Sequence, residues 1–394
     1  MKKLLSISLH SRQYPTTLIK KIPVVCYTVS MQLITEIFTV FIMGYIGLTN
    51  TWAGYIETWF IPTEEPAEII EKTKEITELP VTTNTSPFLM VPDILRSNAS
   101  YQQAALQAAI TPNTPTNNAL NAIVNIFCTS TTRSHIRTTT GTGFFVHSNG
   151  VILTNAHVAQ YLLLTHTDTL GNTECVVRTG NPASPQYEVD ILYISPTWIV
   201  NNASFINEVA PTGTGERDYA LLYVTRSVDE SPLPLTFPAL ATDTSLIPRT
   251  LTGHTVYVTG YPAEALIAGG ASTNLIPRHA RTSITDLFTF GTNYADVLAL
   301  SGSNVGEHGA SGGPVTTSQN SAIGMIATKG DDTIDGTGSL RAITLSYIDR
   351  TIQEETGFSL ASTMSGDLSF RAKIFTDIMV PFLTQIIITE NNRR

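Results

Sequence analysis

From about Asn118 to Tyr347 the chain is a succession of short apolar runs, each cut off by Gly, Pro, Asn or Ser. Runs this short leave no room for the sustained 3.6-residue apolar repeat of packed helices, and they are the pattern of an all-β chain. Strands are expected near residues 122–128, 143–147, 151–154, 174–178, 187–194, 219–224, 255–259, 296–300, 313–316, 322–327 and 342–346. Between the second and third, Ser148-Asn149-Gly150 suits a tight hairpin, with Gly150 free to take a positive φ. So many short strands exceed one small sandwich and fit two packed antiparallel barrels.

The segment ahead of this region has a different character. Residues 1–21 carry Lys2, Lys3, Arg12, Lys20 and Lys21 and no acid. Residues 22–48 then hold Glu36 as their one formal charge, enough apolar length to cross a bilayer as a helix. Glu64, Glu65, Glu68, Glu71, Glu75 and Glu78 follow. Basic before and acidic after predicts a cytoplasmic N-terminus (1–21), a transmembrane anchor (22–48) and everything later outside. A cleaved signal peptide is the alternative, although no A-x-A site closes the apolar run. Residues 49–117, rich in Glu, Thr, Asn and Pro, read as a stalk or linker, with a short helix expected within 97–110. At the other end, residues 368–389 have helical periodicity, so 351–394 is expected to be a helical segment packed on the barrels. The formal net charge of −9 argues against non-specific nucleic-acid binding.

Three strings carry chemistry. In Leu153-Thr154-Asn155-Ala156-His157-Val158 a strand runs into a turn that presents a histidine. In Glu216-Arg217-Asp218-Tyr219-Ala220-Leu221 an aspartate precedes an apolar strand, placed to accept the N–H of an imidazole and fix its tautomer. In Gly309-Ala310-Ser311-Gly312-Gly313-Pro314-Val315 glycines on both sides of a serine permit a sharp turn with the hydroxyl exposed. The Gly309 and Ser311 N–H groups would converge there as an oxyanion hole. Taken singly, each string also reads as ordinary structure: a strand-end histidine, a capping aspartate, a glycine-rich turn.

Together, in the order His, Asp, Ser, these strings closely resemble the trypsin-like serine peptidases of the chymotrypsin fold. The TNAHV, DYALL and GASGGPV forms are most similar to the HtrA/Deg-type branch. The resemblance spans 118–347 and takes in Gly141-Thr142-Gly143-Phe144-Phe145 and Gly260-Tyr261-Pro262. It implies a peptidase domain over 118–350 built from two six-stranded antiparallel β-barrels. It also implies a triad of His157, Asp218 and Ser311, an oxyanion hole at Gly309 and Ser311, and an acyl-enzyme mechanism acting on protein or peptide substrates. Val305 would form the base of the S1 specificity pocket, with Ile326, Ala327 and Thr328 along its wall. No charge stands at those positions, so a small or medium apolar P1 residue is expected.

The sequence departs from the pattern in places. His157 and Asp218 are 61 residues apart, which makes Asp190 a rival; Asp218 is preferred for its context, with an insertion around 197–215. Ala310 stands where digestive relatives carry an aspartate, so activation by pairing with a new N-terminal amine is not expected. The 83 residues after Ser311 leave no room for a PDZ domain. Cys128 and Cys175 are either a disulfide or two buried thiols. Asp331, Asp332 and Asp335, in a loop over 329–338, are expected to be solvated; no metal site and no cofactor are foreseen. The two other functions compatible with these residues are a silent binding scaffold on the same fold and an esterase.

Overall fold

The computed structural model describes residues 91–106, 113, 115–116, 118–132, 136–208, 213–263, 274–291 and 293–393. The basic N-terminus, the expected anchor at 22–48 and most of the expected linker lie outside them.

The first barrel comprises β1 (Ile123–Thr131), β2 (Ile136–His147), β3 (Val151–Thr154), β4 (Asn172–Thr179), β5 (Ser184–Ile194) and β6 (Ala220–Ser227). These six close on themselves in the order β1-β2-β3-β6-β5-β4, every pair antiparallel. Closure removes the free edges that short apolar strands would otherwise expose. All four residues of β3 are buried, as befits a strand packed on both faces. The expected hairpin between β2 and β3 forms: Gly150 takes φ +86 and its N–H reaches the His147 carbonyl at 3.1 Å.

The second barrel holds β7 (Ala241–Thr242), β8 (Thr255–Gly260), β9 (Arg278–Phe288), β10 (Val297–Leu300), β11 (Pro314–Thr316), β12 (Ser321–Lys329) and β13 (Leu340–Thr344). The sheet runs β11-β8-β9-β10-β13-β12-β7, and pairing of β11 with β12 closes the first six into a ring. The two-residue β7 adds to β12 in parallel. The fold is thus all-β in its body, two closed six-stranded antiparallel barrels. One strand of the ring, β9, falls on residues for which the sequence predicts none. Its Arg278, His279, Arg281 and Asp286 interrupt the apolar alternation, and only Thr282 and Ile284 on it are buried.

Cys128 and Cys175 face each other directly across β1 and β4 and are joined by a disulfide. This is the pair of strands that completes the first ring. The bridge closes a loop of 47 residues. Loop-closure entropy for such a span is on the order of 4 kcal/mol, less any native-state strain. Replacing both cysteines by serine is therefore expected to cost about 2–4 kcal/mol, read as a lower urea midpoint at unchanged slope. An unaltered midpoint would mean that the bridge does not hold this seam.

Two short helices, α1 (Val91–Ser97) and α2 (Ala99–Leu106), fall within the stretch expected to be linker. Leu95 and Tyr101 are fully buried, because α1 and α2 dock on the C-terminal helices α3 (Leu345–Thr356) and α5 (Leu368–Asn392). Between the last two lies the short α4 (Leu360–Thr363). The expected domain edge at 350 falls inside α3, so the helical segment begins earlier than the sequence suggests. Arg371 fixes this corner: fully buried, it donates to the Ser362 and Ser365 carbonyls and stacks on Tyr101. α5 is long and apolar enough to cross a membrane by length and composition. Phe375, Met379, Leu383 and Ile387, four apart along one face, are nevertheless fully buried, and the helix packs on β5.

Candidate active site

The two barrels meet along β2. The Thr142 N–H donates to the Ser311 carbonyl at 2.7 Å, and its hydroxyl donates to the Gly309 carbonyl at 2.7 Å. The same hydroxyl accepts from the Tyr261 N–H at 2.9 Å. One threonine of the first barrel thus holds both ends of the serine turn and the Gly260-Tyr261-Pro262 crossover. Thr142 in turn accepts from the Thr154 hydroxyl at 2.7 Å, and Thr154 is three residues before His157.

Small residues make the approach possible. A Cβ on Gly141 would lie 2.5 Å from a Val158 methyl carbon, so the short helix Ala156–Ala159 that carries His157 can sit against β2 only because Gly141 has none. Gly312 takes φ +87, and a Cβ there would lie 1.8 Å from the Thr142 carbonyl oxygen and 2.6 Å from the Thr154 hydroxyl. Left-handed backbone costs a residue with a Cβ about 1–2 kcal/mol, and overpacking adds about 1–3. Gly312→Ala is therefore expected to destabilise by about 2–5 kcal/mol in a urea titration; a loss under about 0.5 kcal/mol, the scale of a tolerated surface change, would contradict this packing.

His157 and Asp218 are brought together. Nδ1 of His157 lies 2.7 Å from Oδ2 of Asp218, and the His157 N–H donates to Oδ1 at 2.9 Å. The carboxylate is 5% exposed and the imidazole 21%. Asn155 donates to the Asp218 carbonyl at 2.9 Å, which fixes the turn from the histidine side. The rival Asp190 sits within β5, in register with Tyr223, and the His157 ring pairs with Asp218.

Ser311 occupies a tight turn in which the Gly312 N–H donates to the Ile326 carbonyl and the Gly313 N–H to the Ala310 carbonyl. Its hydroxyl donates to the Ala327 carbonyl at 3.3 Å rather than to the His157 ring. Gly309 takes φ +92, and the His308 carbonyl ahead of it accepts from the Ala263 N–H at 2.6 Å. Among the described residues the Gly309 and Ser311 N–H groups have no acceptor. Two unengaged N–H groups beside a serine hydroxyl are what a developing oxyanion requires.

Of the residues expected to form the S1 pocket, Val305 and Ile326 are side chains of the second barrel's own core. Strand alternation explains it: Ile326 points into that barrel, whereas Ala327 joins the apolar cluster on the other side. Ala327 touches the two parts of the site at once. Its carbonyl takes the Ser311 hydroxyl, and its methyl carbon lies 3.4 Å from where a Cβ on Gly215 would be, in the turn leading to Asp218. Thr328 is half-buried on the same strand. Away from the site, one cleft lies beside Ser100, Asp367 and Phe370 and another beside the disulfide. The three acids of the 329–338 loop diverge: Asp331 accepts from Thr333, Asp332 from Ser339, and Asp335 pairs with Arg341 at 2.9 Å.

Residues 141–325 match the family model of the trypsin-like peptidase domain. Over that stretch the chain is similar to the trypsin-like peptidase domain. No curated protein sequence matches the chain significantly. Among solved structures, the active form of the Rv3671c protease from M. tuberculosis is similar at 19% identity and a TM-score of 0.36, covering 74% of this chain and 96% of that one. Deg5 is similar at 18% identity and 0.38, covering 60% and 90%. The HtrA-type protease AlgW with decapeptide follows at 15% and 0.38, covering 60% and 65%. At that distance they bear on neither the substrate nor the site of this chain.

Proposed function

We propose that this trypsin-like domain is a serine endopeptidase that cleaves peptide bonds with His157, Asp218 and Ser311. The observation that carries the proposal is the His157–Asp218 couple, 2.7 Å between Nδ1 and Oδ2, set beside a serine turn with two unengaged N–H groups. Asp218 holds the tautomer in which Nε2 is free to accept a proton. This reading requires Ser311 Oγ to leave the Ala327 carbonyl and turn about its Cα–Cβ bond to that nitrogen. Oγ then attacks the substrate carbonyl carbon as its proton passes to Nε2, and the carbonyl oxygen becomes an oxyanion received by the Gly309 and Ser311 N–H groups. Collapse expels the amine, which takes the proton from Nε2 and leaves an acyl ester on Ser311. Water, deprotonated by the same nitrogen, attacks that ester, and the acid departs as Nε2 returns the proton to Ser311 Oγ. His157 carries positive charge only in passing, and the Asp218 carboxylate stabilises it.

The P1 preference under this reading is a small or medium apolar side chain, since none of Val305, Ile326, Ala327 and Thr328 carries a charge. The proposal also places the domain at the outer face of a membrane, held by the apolar residues 22–48. Its support is the basic-before, acidic-after charge pattern and the Cys128–Cys175 bridge, which suits an oxidising compartment.

One observation favours a second reading. With Ser311 Oγ on a carbonyl rather than on the imidazole, the fold would serve as a scaffold without turnover. A fluorophosphonate probe separates the two. The peptidase reading expects a single covalent adduct, absent in Ser311→Ala, together with cleavage of an unfolded protein; no adduct on folded protein selects the scaffold. An adduct with ester hydrolysis but no cleavage in a peptide library selects an esterase.

A further inference from the structure

Asp218 is carried by a turn that its own residues do not favour. Gly215 has φ +85, Arg217 has φ +54, and the Asp218 N–H closes on the Gly215 carbonyl at 3.2 Å. An arginine in the left-handed region is disfavoured by its Cβ, so contacts outside the turn must keep it there. The three that Arg217 itself makes are on α3. The Arg217 N–H donates to the Tyr347 hydroxyl at 3.1 Å, Nη1 to Glu355 Oε1 at 2.8 Å and Nη2 to Glu354 Oε2 at 2.9 Å.

Glu355 is the centre of this clamp. Its carboxylate is 4% exposed, and besides Arg217 it accepts from the Ser195 hydroxyl at 3.1 Å and from the Tyr193 hydroxyl. Burial first, and then the neighbouring Glu355, push the Tyr193 phenol well above its ordinary range, so it stays a donor. A single buried carboxylate therefore joins the end of β5, the turn before β6 and a helix that follows the second barrel. Such a group is costly to bury unless every oxygen is engaged, and here Glu355 holds three donors.

On the histidine side the same turn is held by Asn155, which donates to the Asp218 carbonyl at 2.9 Å. Among the described residues both Asp218 carboxylate oxygens accept from His157, through ring and backbone, and from no other side chain. The position of that carboxylate is therefore the position of its turn. We infer that Glu355, acting through Arg217, is a positioning residue for Asp218, so that a C-terminal helix remote in sequence sets the geometry of the histidine–aspartate couple. The inference rests on the proposed triad for its effect on turnover, but not for its effect on the couple.

The test uses the full chain with Arg217→Gln, Glu355→Gln and the conservative Arg217→Lys. Asp349→Ala is the control: it removes the α3–α4 contact in which Asp349 accepts from the Leu360 N–H at 2.7 Å, and it does not touch Arg217. Two readouts are compared: kcat and KM on a peptide substrate, and the low-field proton resonance of His157 Nδ1–H in the Ser311→Ala background, which needs no turnover. The two glutamine variants are expected to lose about 100-fold in kcat with KM nearly unchanged, the scale of a slight misplacement, and to broaden or lose the resonance. Arg217→Lys is expected to recover part of both. Asp349→Ala is expected to lower Tm while keeping both. Arg217→Gly is also measured: it removes the clamp and the backbone penalty together, so it is expected to fold and still lose kcat and the resonance. Wild-type kcat and resonance in a folded Arg217→Gly or Glu355→Gln protein would overturn the inference, as would equal losses in Asp349→Ala at equal Tm. A wild type without turnover, whose resonance still disappears in the clamp variants, would overturn the peptidase reading and support the positioning role.

Discussion

Replacing Ser311 by alanine is expected to lower kcat for peptide hydrolysis about a millionfold, while the thermal midpoint stays where it was. A nucleophile acting as one unit with its base leaves only the binding and oxyanion contributions when it is removed, which is why its loss is so large. The stability side follows from the contact it makes. Ser311 Oγ has one hydrogen bond, 3.3 Å to the Ala327 carbonyl, and loss of such a bond changes stability by about 1 kcal/mol or less. Its backbone is untouched, so Thr142, Ile326 and the glycines continue to hold the turn. Progress curves over several orders of enzyme concentration, with a melting curve on the same samples, measure both. A residual rate above a hundredth of wild type would assign the chemistry to another group.

Asp218→Asn is expected to cost about 10⁴-fold in kcat with little change in fold, through the tautomer rather than through charge alone. One carboxylate oxygen accepts from the His157 backbone N–H at 2.9 Å and the other faces Nδ1 at 2.7 Å. An asparagine in that place keeps its oxygen on the backbone donor, which turns its NH₂ towards Nδ1. The imidazole must then accept at Nδ1 and carry its proton on Nε2, where it cannot receive one from Ser311. Asp190→Asn, measured beside it, is expected to leave kcat unaltered, because Asp190 is a β5 residue outside the His157 couple. Reversal of the two results would exchange their roles.

Much of this site was legible in the sequence because its parts are local. The strings around His157, Asp218 and Ser311 each contain the small residues their turns need, and Gly141, Gly309 and Gly312 occupy positions where a Cβ would collide or the backbone turns left-handed. The barrels were legible for the same reason: β3 and β6 are buried through most of their length and read as apolar runs. β9 was not, since a strand with half its residues in solvent needs no apolar alternation, and Arg278 to Asp286 show none. Nor was the docking of α1 and α2. Leu95 and Tyr101 stand in a proline-punctuated stretch with no sustained apolar repeat, and the helices they meet, more than 200 residues on, give them a core. Glu355 is the hardest case. In the sequence it is one of two glutamates on an amphipathic helix and reads as surface; Arg217, 138 residues earlier, is what makes it a buried hub.

Val305 and Ile326, expected at the base and wall of the specificity pocket, have their side chains in the second barrel's core, and the backbone of Ala327 meets Ser311. Strand register decides which residue of a string faces the site, and a one-residue difference in reading exchanges faces.

The central claim is that the Ser311 hydroxyl can leave the Ala327 carbonyl and act within reach of His157. A crystal structure of the folded chain soaked with a peptidyl boronate tests it directly. The account predicts a covalent bond from Ser311 Oγ to boron, one boronate oxygen held by the Gly309 and Ser311 N–H groups, and the His157–Asp218 couple intact. Boronate absent from Ser311 at saturating concentration, with Oγ still donating to Ala327, would contradict it.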